Sequence, residues 1–599
     1  VVLENPWPLQ LSVGSARIQP DGLIAVAPNA QEVLGYKQPL DWQMKRTILV
    51  LCVILAFNST LAAQQKVTIQ VDASGPREPF RHVWSYFGYD EPNFTYARNG
   101  ELLLSELAQS SPTPVYIRMH NLLTSGDGTP ALKWGSTNAY NEDAQGRPVY
   151  NWTILDRIFD TLLRSKVKPL VEIGFMPEAL STHPQPYKHD WPKGNLWTGW
   201  AYPPRDYQKW GELVYRWASH CVERYGKPEV LSWYWEVWNE PDIGYWQGTP
   251  EEYYRLYDYA VDAVKRALPG ARVGGPDTTG PADPHAAEFL RGFLEHCARG
   301  RNYATRGRGA PLDFVSFHAK GDPKIVEGHV RMGISRQLRS IDEGFRIVRS
   351  FPEFKDAPII LGESDPEGCA ACSARQHPQN AYRNGVLYPC YTAEVLARTL
   401  ELAARYHANL EGVVTWAFEF EDQPYFAGFR TLATHGVDKP ILNLFHMLGL
   451  MGAERLPVTS TQAISLQPVL NSGVTGPPDV NAVAASGSQN VSVLIWNYHD
   501  EDVPGPEASV ELLITNLPAD ATRVQVRHYR IDEHHSNAYT VWKDSGSPQQ
   551  PTAEQYKRLL AAGRLEELEP AEETSTRKGE IRWSFNLPRH AVSLFTVTW

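Results

Sequence analysis

At 599 residues the chain is too long for one ordinary domain and long enough for two or three large ones. Its composition, 42% hydrophobic and 21% charged, is globular, and a formal charge of −11 excludes the basic surface that nucleic acid requires. The 19 Trp and 28 Tyr suit a core of aromatic-rich strands and equally suit flat stacking platforms for ring-shaped ligands.

The first feature in chain order is "MKRTILVLCVILAFNSTLAA", starting at Met44. Lys45 and Arg46 precede an apolar run over 48–57, and small residues end at Ala62 and Ala63, the pattern of a secretory signal peptide. The run is short for a membrane span. Cys52 lacks the small residues that would precede a lipoprotein anchor. The expectation is a leader over 44–63, translation starting at Met44, residues 1–43 as a spurious upstream extension, and a secreted or periplasmic protein without a stable membrane anchor. A genuine extension carrying an internal anchor helix is the alternative.

Export permits disulfides. Cys221 and Cys297 fall in helical patterns and are expected to be buried thiols. The "GCAAC" of 368–372 lacks a second pair at zinc spacing, so a bridge from Cys369 or Cys372 to Cys390 is expected rather than a metal site.

Eight strand-like runs follow: 83–89, 115–120, 168–175, 233–240, 272–276, 314–319, 358–363 and 412–419. Amphipathic stretches such as 152–165, 206–226, 251–268 and 391–407 separate them. This alternation predicts an α/β fold, a (β/α)8 TIM barrel over 83–453 whose parallel strands need helical crossovers. Most runs are apolar throughout, as strands covered on both faces should be. From 454 to 599 short β-patterned runs at 491–499, 508–517, 522–531, 580–587 and 591–599 predict an antiparallel β-sandwich, interrupted by a helix near 552–562. The early run 66–72, within a segment 64–82, is expected to join that sandwich.

Chemistry in a barrel collects at the C-terminal strand ends. Those ends supply His120, Phe175, Asn239, Glu240, Asp277, His318, Glu363 and Trp416, with Glu419 and Glu421 just beyond. Glu240 closes the fourth run and Glu363 the seventh. Each alone reads equally as a helix cap or a solvated loop acid. Together, with histidines ending two other strands, they point to a pair of carboxylates flanking one bond, as glycoside hydrolysis requires. Pro241 disfavours helical geometry at Glu240 and is expected to hold it extended, while Asn239 offers an amide to a sugar hydroxyl.

"WYWEVWNEPDI" (233–243) is similar to the acid/base segment of clan A retaining glycosidases, and the wider chain resembles glycoside hydrolase family 39. The matching segments include "YNWTILDRIFD" (150–160), "EIGFMPEALS" (172–181), "DFVSFHAKG" (313–321) and "YRIDEHHSNAY" (529–539), and the likeness runs from about 66 to 599. The resemblance implies Glu240 as general acid/base, Asn239 as its sugar-reading neighbour and Glu363 as nucleophile. "LGESDPEGC" departs from the family's surroundings at that position, which leaves Glu367 a rival, read as structural in its Pro/Gly loop. His120, His318, Phe175 and Trp416 match pocket-lining positions, whereas the loop 416–426 departs from the pattern and leaves Glu419 and Glu421 as weaker sugar contacts.

The expected reaction is double displacement by a retaining exo-glycosidase with no metal or organic cofactor and a carbohydrate as partner. That reading expects carboxyl groups about 5–5.5 Å apart. The family implies β-xylosidase first, then α-L-iduronidase or an arabinose-releasing enzyme. An iduronidase needs a cation for the sugar carboxylate. Arg118 is expected to point away from His120, and Lys320 to reach inward; with no clear basic cluster, a neutral pentoside is favoured. The reading from another class is a carbohydrate-binding protein on a disabled scaffold, against which both acids speak.

Overall fold

The computed structural model describes residues 66–189 and 196–599, so the leader pattern and its upstream segment lie outside the described residues. The eight apolar runs form Tyr86–Tyr89, Tyr116–Met119, Lys168–Ile173, Tyr234–Val237, Arg272–Thr278, Phe314–Lys320, Ile359–Asp365 and Leu410–Thr415. All pair in parallel with their sequence neighbours, and the eighth returns to the first, closing the expected barrel. The crossovers are helices with defined ends. Thr249 and Glu252 form a capping box at the start of Pro250–Ala267, with Pro250 in the first turn. Asp206 caps Tyr207–Tyr225, which stops at Gly226 with φ +84°. No described helix is long and apolar enough to cross a membrane.

Alternation along the strands stacks the barrel interior in layers. Tyr86, Tyr116, Leu170, Tyr234, Phe314, Ile360, Val414 and Trp416 make an apolar floor. Two residues further along, on the same faces, stand Arg118, Glu172, Glu236 and Ser316, all wholly buried. His120 and His318 follow two residues beyond that. The polar layer thus rests on a packed hydrophobic base and cannot sink.

The second core lies between two sheets. Val458–Ser460, Lys66–Asp72, Ala508–Thr515 and Ile581–Leu587 form one. The other runs Glu78–Pro79, Glu454–Leu456, Asp479–Ser486, Asn490–Tyr498, Val592–Thr598, Arg523–Ile531 and Glu566–Ser575. Val67, Ile69 and Val71 alternate inward against Val510, Leu512 and Ile514. The expected antiparallel sandwich holds except here, for Lys66–Asp72 runs parallel to Ala508–Thr515. No hairpin links these strands, so nothing imposes the antiparallel sense. Glu566–Ser575 has no hydrophobic period; it is a charged edge strand, held to its neighbour in part by Arg523–Glu573 and Arg527–Glu567.

The cysteines depart from expectation. Cys369 bonds Cys372, and Cys390 is a free, buried thiol. Cys390 lies on the helix Leu387–Tyr406 and turns toward the sandwich, its Sγ 3.9 Å from the Ala591 carbonyl, so it does not face the loop. Cys221 and Cys297 are buried in helices as expected.

Candidate active site

Glu363 lies in the seventh strand, 5% exposed, ringed by cations. Lys320 Nζ is 2.7 Å from one carboxylate oxygen. His120 Nε2 at 3.4 Å, Arg118 Nη1 at 3.5 Å and His318 Nε2 at 3.9 Å surround the other. Burial alone would raise its pKa, but Lys320 and the two histidines hold Glu363 well below the usual carboxylate range. An ionised carboxylate in a water-poor pocket is a nucleophile.

Glu240 stands at the mouth of the fourth strand, 15% exposed, with Oε1 2.8 Å from His318 Nδ1. One imidazole therefore touches both acids. The expectation of an extended Glu240 is corrected: its φ is +43°. Pro241 bars the right-handed helical region, and the turn that brings the Ile243 N–H to the Glu240 carbonyl selects the left-handed region instead.

His318 is wholly buried between Glu240 and Asp277, whose Oδ2 lies 2.8 Å from Nε2. Burial opposes its charge, yet Asp277 and Glu363 keep the imidazole well above its ordinary pKa. His120 is gripped by Asp90 at 2.7 Å. Against burial, Glu172 and Asp90 push it up to about 9. Asn239 is buried, its Oδ1 accepting from Arg118 Nη2 at 3.2 Å. Its Nδ2 has no hydrogen-bond partner among the described residues, a buried donor aimed at something the protein does not supply. Phe175 stacks on Tyr245 with centroids 5.5 Å apart. Trp416 packs against His120 at 4.4 Å, fully buried as both core and pocket floor.

Arg118 corrects a second expectation. Residues two apart on a strand share a face, and Arg118 lies beside His120, its Nη1 3.1 Å from the ring. It also pairs with Glu172 at 2.9 Å, Glu236 at 2.5 Å and Asp277 at 2.5 Å. Burial raises Glu172 to about 7 and Glu236 to about 8. Lys320 reaches inward as expected. Glu421 does not join the group: its carboxylate accepts the Asn99 N–H in the first turn of Arg98–Ser110. Glu419 accepts from the Gly436 N–H, away from the pocket. Glu367 is held by Arg383 at 2.6 Å, Arg430 at 2.5 Å and the Tyr382 hydroxyl, which leaves it a clamp for its loop.

Glu363 itself is almost wholly buried. Beside Glu240 a groove of about 1180 Å³ opens past Lys320, Thr279, His285, Arg336 and Arg339.

A closed parallel barrel with buried carboxylates gathered at its strand ends is the frame of a glycoside hydrolase. The chain belongs to glycosyl hydrolases family 39, whose family model matches residues 67–577. Its relatives include a protein named beta-xylosidase from Geobacillus stearothermophilus, 28% identical over 501 residues, covering 80% of this chain and 86% of that one. A human protein named alpha-L-iduronidase is 26% identical over 541 residues, covering 86% and 76%. The crystal structure of the GH39 enzyme from Xanthomonas axonopodis pv. citri shares the fold with a TM-score of 0.70 at 22% identity, covering 90% of this chain and 98% of that one.

Proposed function

We propose that the chain is an exported, exo-acting β-xylosidase working with net retention. Glu363 attacks the anomeric carbon and the bond to the leaving oxygen breaks as Glu240 protonates it, giving a glycosyl-enzyme. Glu240 then takes a proton from water, which attacks the same carbon and restores Glu363. The observation that carries this reading is the contrast between the two acids: Glu363 is enclosed and held ionised, while Glu240 stands at the open end. On this reading the terminal sugar lies against the buried Glu363, and the groove beside Glu240 receives the rest of the glycan.

A neutral sugar is supported by the state of the cations around Glu363. Arg118 is paired with Glu236 and Asp277, Lys133 with Asp90, and Lys320 with Glu363 and Asp365. A sugar carboxylate would have to displace one of these partners. Lys320, on the groove beside Glu240, favours the iduronidase reading instead. Export is supported by the leader pattern over 44–63 and by the disulfide Cys369–Cys372.

The test is hydrolysis of p-nitrophenyl β-xyloside, α-arabinoside and β-glucoside and of 4-methylumbelliferyl α-iduronide, with Glu363→Gln alongside. The xyloside should be cleaved, its product first appearing as the β-anomer by NMR, and the variant should be inactive. Preferential cleavage of the iduronide would replace the sugar assignment; cleavage of none would favour the carbohydrate-binding reading.

A further inference from the structure

We propose that Asp277, acting through His318, is the positioning residue for the acid/base carboxyl of Glu240, an inference that rests on the glycosidase reading above.

Asp277 is the extra residue of a β-bulge. Pro276 pairs with Ser316 and Thr278 with Phe317, which leaves Asp277 without a ladder partner, at φ +55°. Bulges re-aim side chains, and this one turns inward a carboxyl that strict alternation would send out. Room for it comes from the residue before Glu363: a Cβ on Gly362 would overlap the Asp277 carboxyl. Once inside, Asp277 is wholly buried and anchored by Arg118 at 2.5 Å.

From there it reaches Glu240 by two routes. Its backbone carbonyl accepts the Glu240 N–H at 3.0 Å, fixing the left-handed turn. Its carboxylate lies 2.8 Å from His318 Nε2, and His318 Nδ1 lies 2.8 Å from Glu240 Oε1. A doubly protonated imidazole donates at both ends. The charged groups facing that ring are Asp277, Glu240 and, at 3.9 Å, Glu363. With Oε1 tied, rotation of the Glu240 carboxyl is blocked, and Oε2 is the oxygen left to meet the leaving group. A general acid that swings by half an ångström loses its alignment. The bulge, Gly362 and the buried imidazole together remove that freedom.

Asp277→Asn and His318→Gln, singly and combined in the full chain, test the role with two xylosides of unequal demand. Xylobiose needs its leaving oxygen protonated, whereas 2,4-dinitrophenyl β-xyloside does not. Each single variant should lose roughly 100-fold or more in kcat/KM, which reports the step that forms the glycosyl-enzyme, on xylobiose and less than about 10-fold on the dinitrophenyl glycoside. The double variant should be no worse than the more damaged single, because the two residues act in one chain. Equal losses on both substrates, no loss, or losses that multiply in the double variant would overturn the role. Should Asp277→Asn fail to fold, His318→Gln alone carries the leaving-group comparison. An unaltered chain inert on both xylosides would remove the β-xylosidase reading and this role with it; an active chain with equal losses removes this role alone.

Discussion

Lys320 Nζ and Glu363 Oε2 stand 2.7 Å apart, and the same ammonium reaches Asp365 at 2.6 Å. The lysine is the cation nearest to Glu363, and it sits at the rim, where the enclosed carboxylate meets the groove.

Lys320→Met should therefore move the acid limb of kcat/KM. Burial favours the protonated form of Glu363, and Lys320 is the first of the charges that oppose it. Without that charge Glu363 takes up its proton at a higher pH, so activity fails earlier on acidification. The limb should rise by roughly 1–2 pH units, with a smaller change near neutrality. A pH–rate profile checks this.

Glu363→Gln and Glu367→Gln should separate chemistry from architecture. Glu367 neutralises two buried guanidinium groups, Arg383 and Arg430. Removing its charge should cost about 3–5 kcal/mol of stability. Protein that remains folded should still turn over substrate. Glu363→Gln should abolish turnover with no comparable loss of stability. Urea unfolding and a xyloside assay on both variants decide it.

The loop after Glu363 is pinned twice. The bond Cys369–Cys372 closes a short ring, worth roughly 2 kcal/mol through the unfolded chain. Arg383 donates to the carbonyls of Cys369, Cys372 and Gly428 at 2.7, 2.9 and 3.0 Å. Replacing both cysteines by Ala should lower the melting temperature slightly and spare activity. Arg383→Met, which takes the donor from the buried carbonyls of Cys369 and Gly428 and one of two guanidinium groups from Glu367, should be far more damaging to stability.

Acid should weaken the sandwich through His528. Burial, with Arg530 nearby, lowers its pKa to about 3 from 6.5, and it stacks on Phe595 at 4.0 Å. A neutral buried imidazole contributes stability that is whole above pH 6.5 and is lost progressively as pH falls toward 3, since the unfolded chain binds the proton first. His528→Gln should flatten the fall of unfolding free energy between pH 6.5 and 4. Denaturant titrations at several pH values measure the slope.

The barrel was readable because its strands are covered on both faces, so each is an apolar run ending on a polar residue. Glu240, Asn239, Glu363, His120, His318, Phe175 and Trp416 were visible at those ends, and the structure links them through side-chain contacts around Glu363, His318, His120 and Arg118. Arg118 was open to the same reasoning, since residues two apart on a strand share a face. Asp277 was visible at a strand end but its inward direction was not, because a bulge breaks the alternation on which that inference depends. Glu363 has the same irregularity. Ile360 and Gly362 face the interior, and a register shift opposite Phe317 and Ala319 turns Glu363 inward as well. The conformation of Glu240 depends on its contact with the fifth strand, far away in sequence. Glu421 was misplaced because a carboxylate just past a strand also suits a helix N-terminus.

The parallel pairing of Lys66–Asp72 with Ala508–Thr515 has a consequence for synthesis. The Thr515 hydroxyl that bonds the Val71 carbonyl lies 444 residues further along the chain. At ~5–20 residues per second of translation, the opening strand waits from roughly twenty seconds to a minute and a half for its partner. All eight barrel strands emerge in that interval. A late step of assembly is therefore a return to the first described strand, and until then an apolar edge with Val67, Ile69 and Val71 must be kept from pairing with other chains.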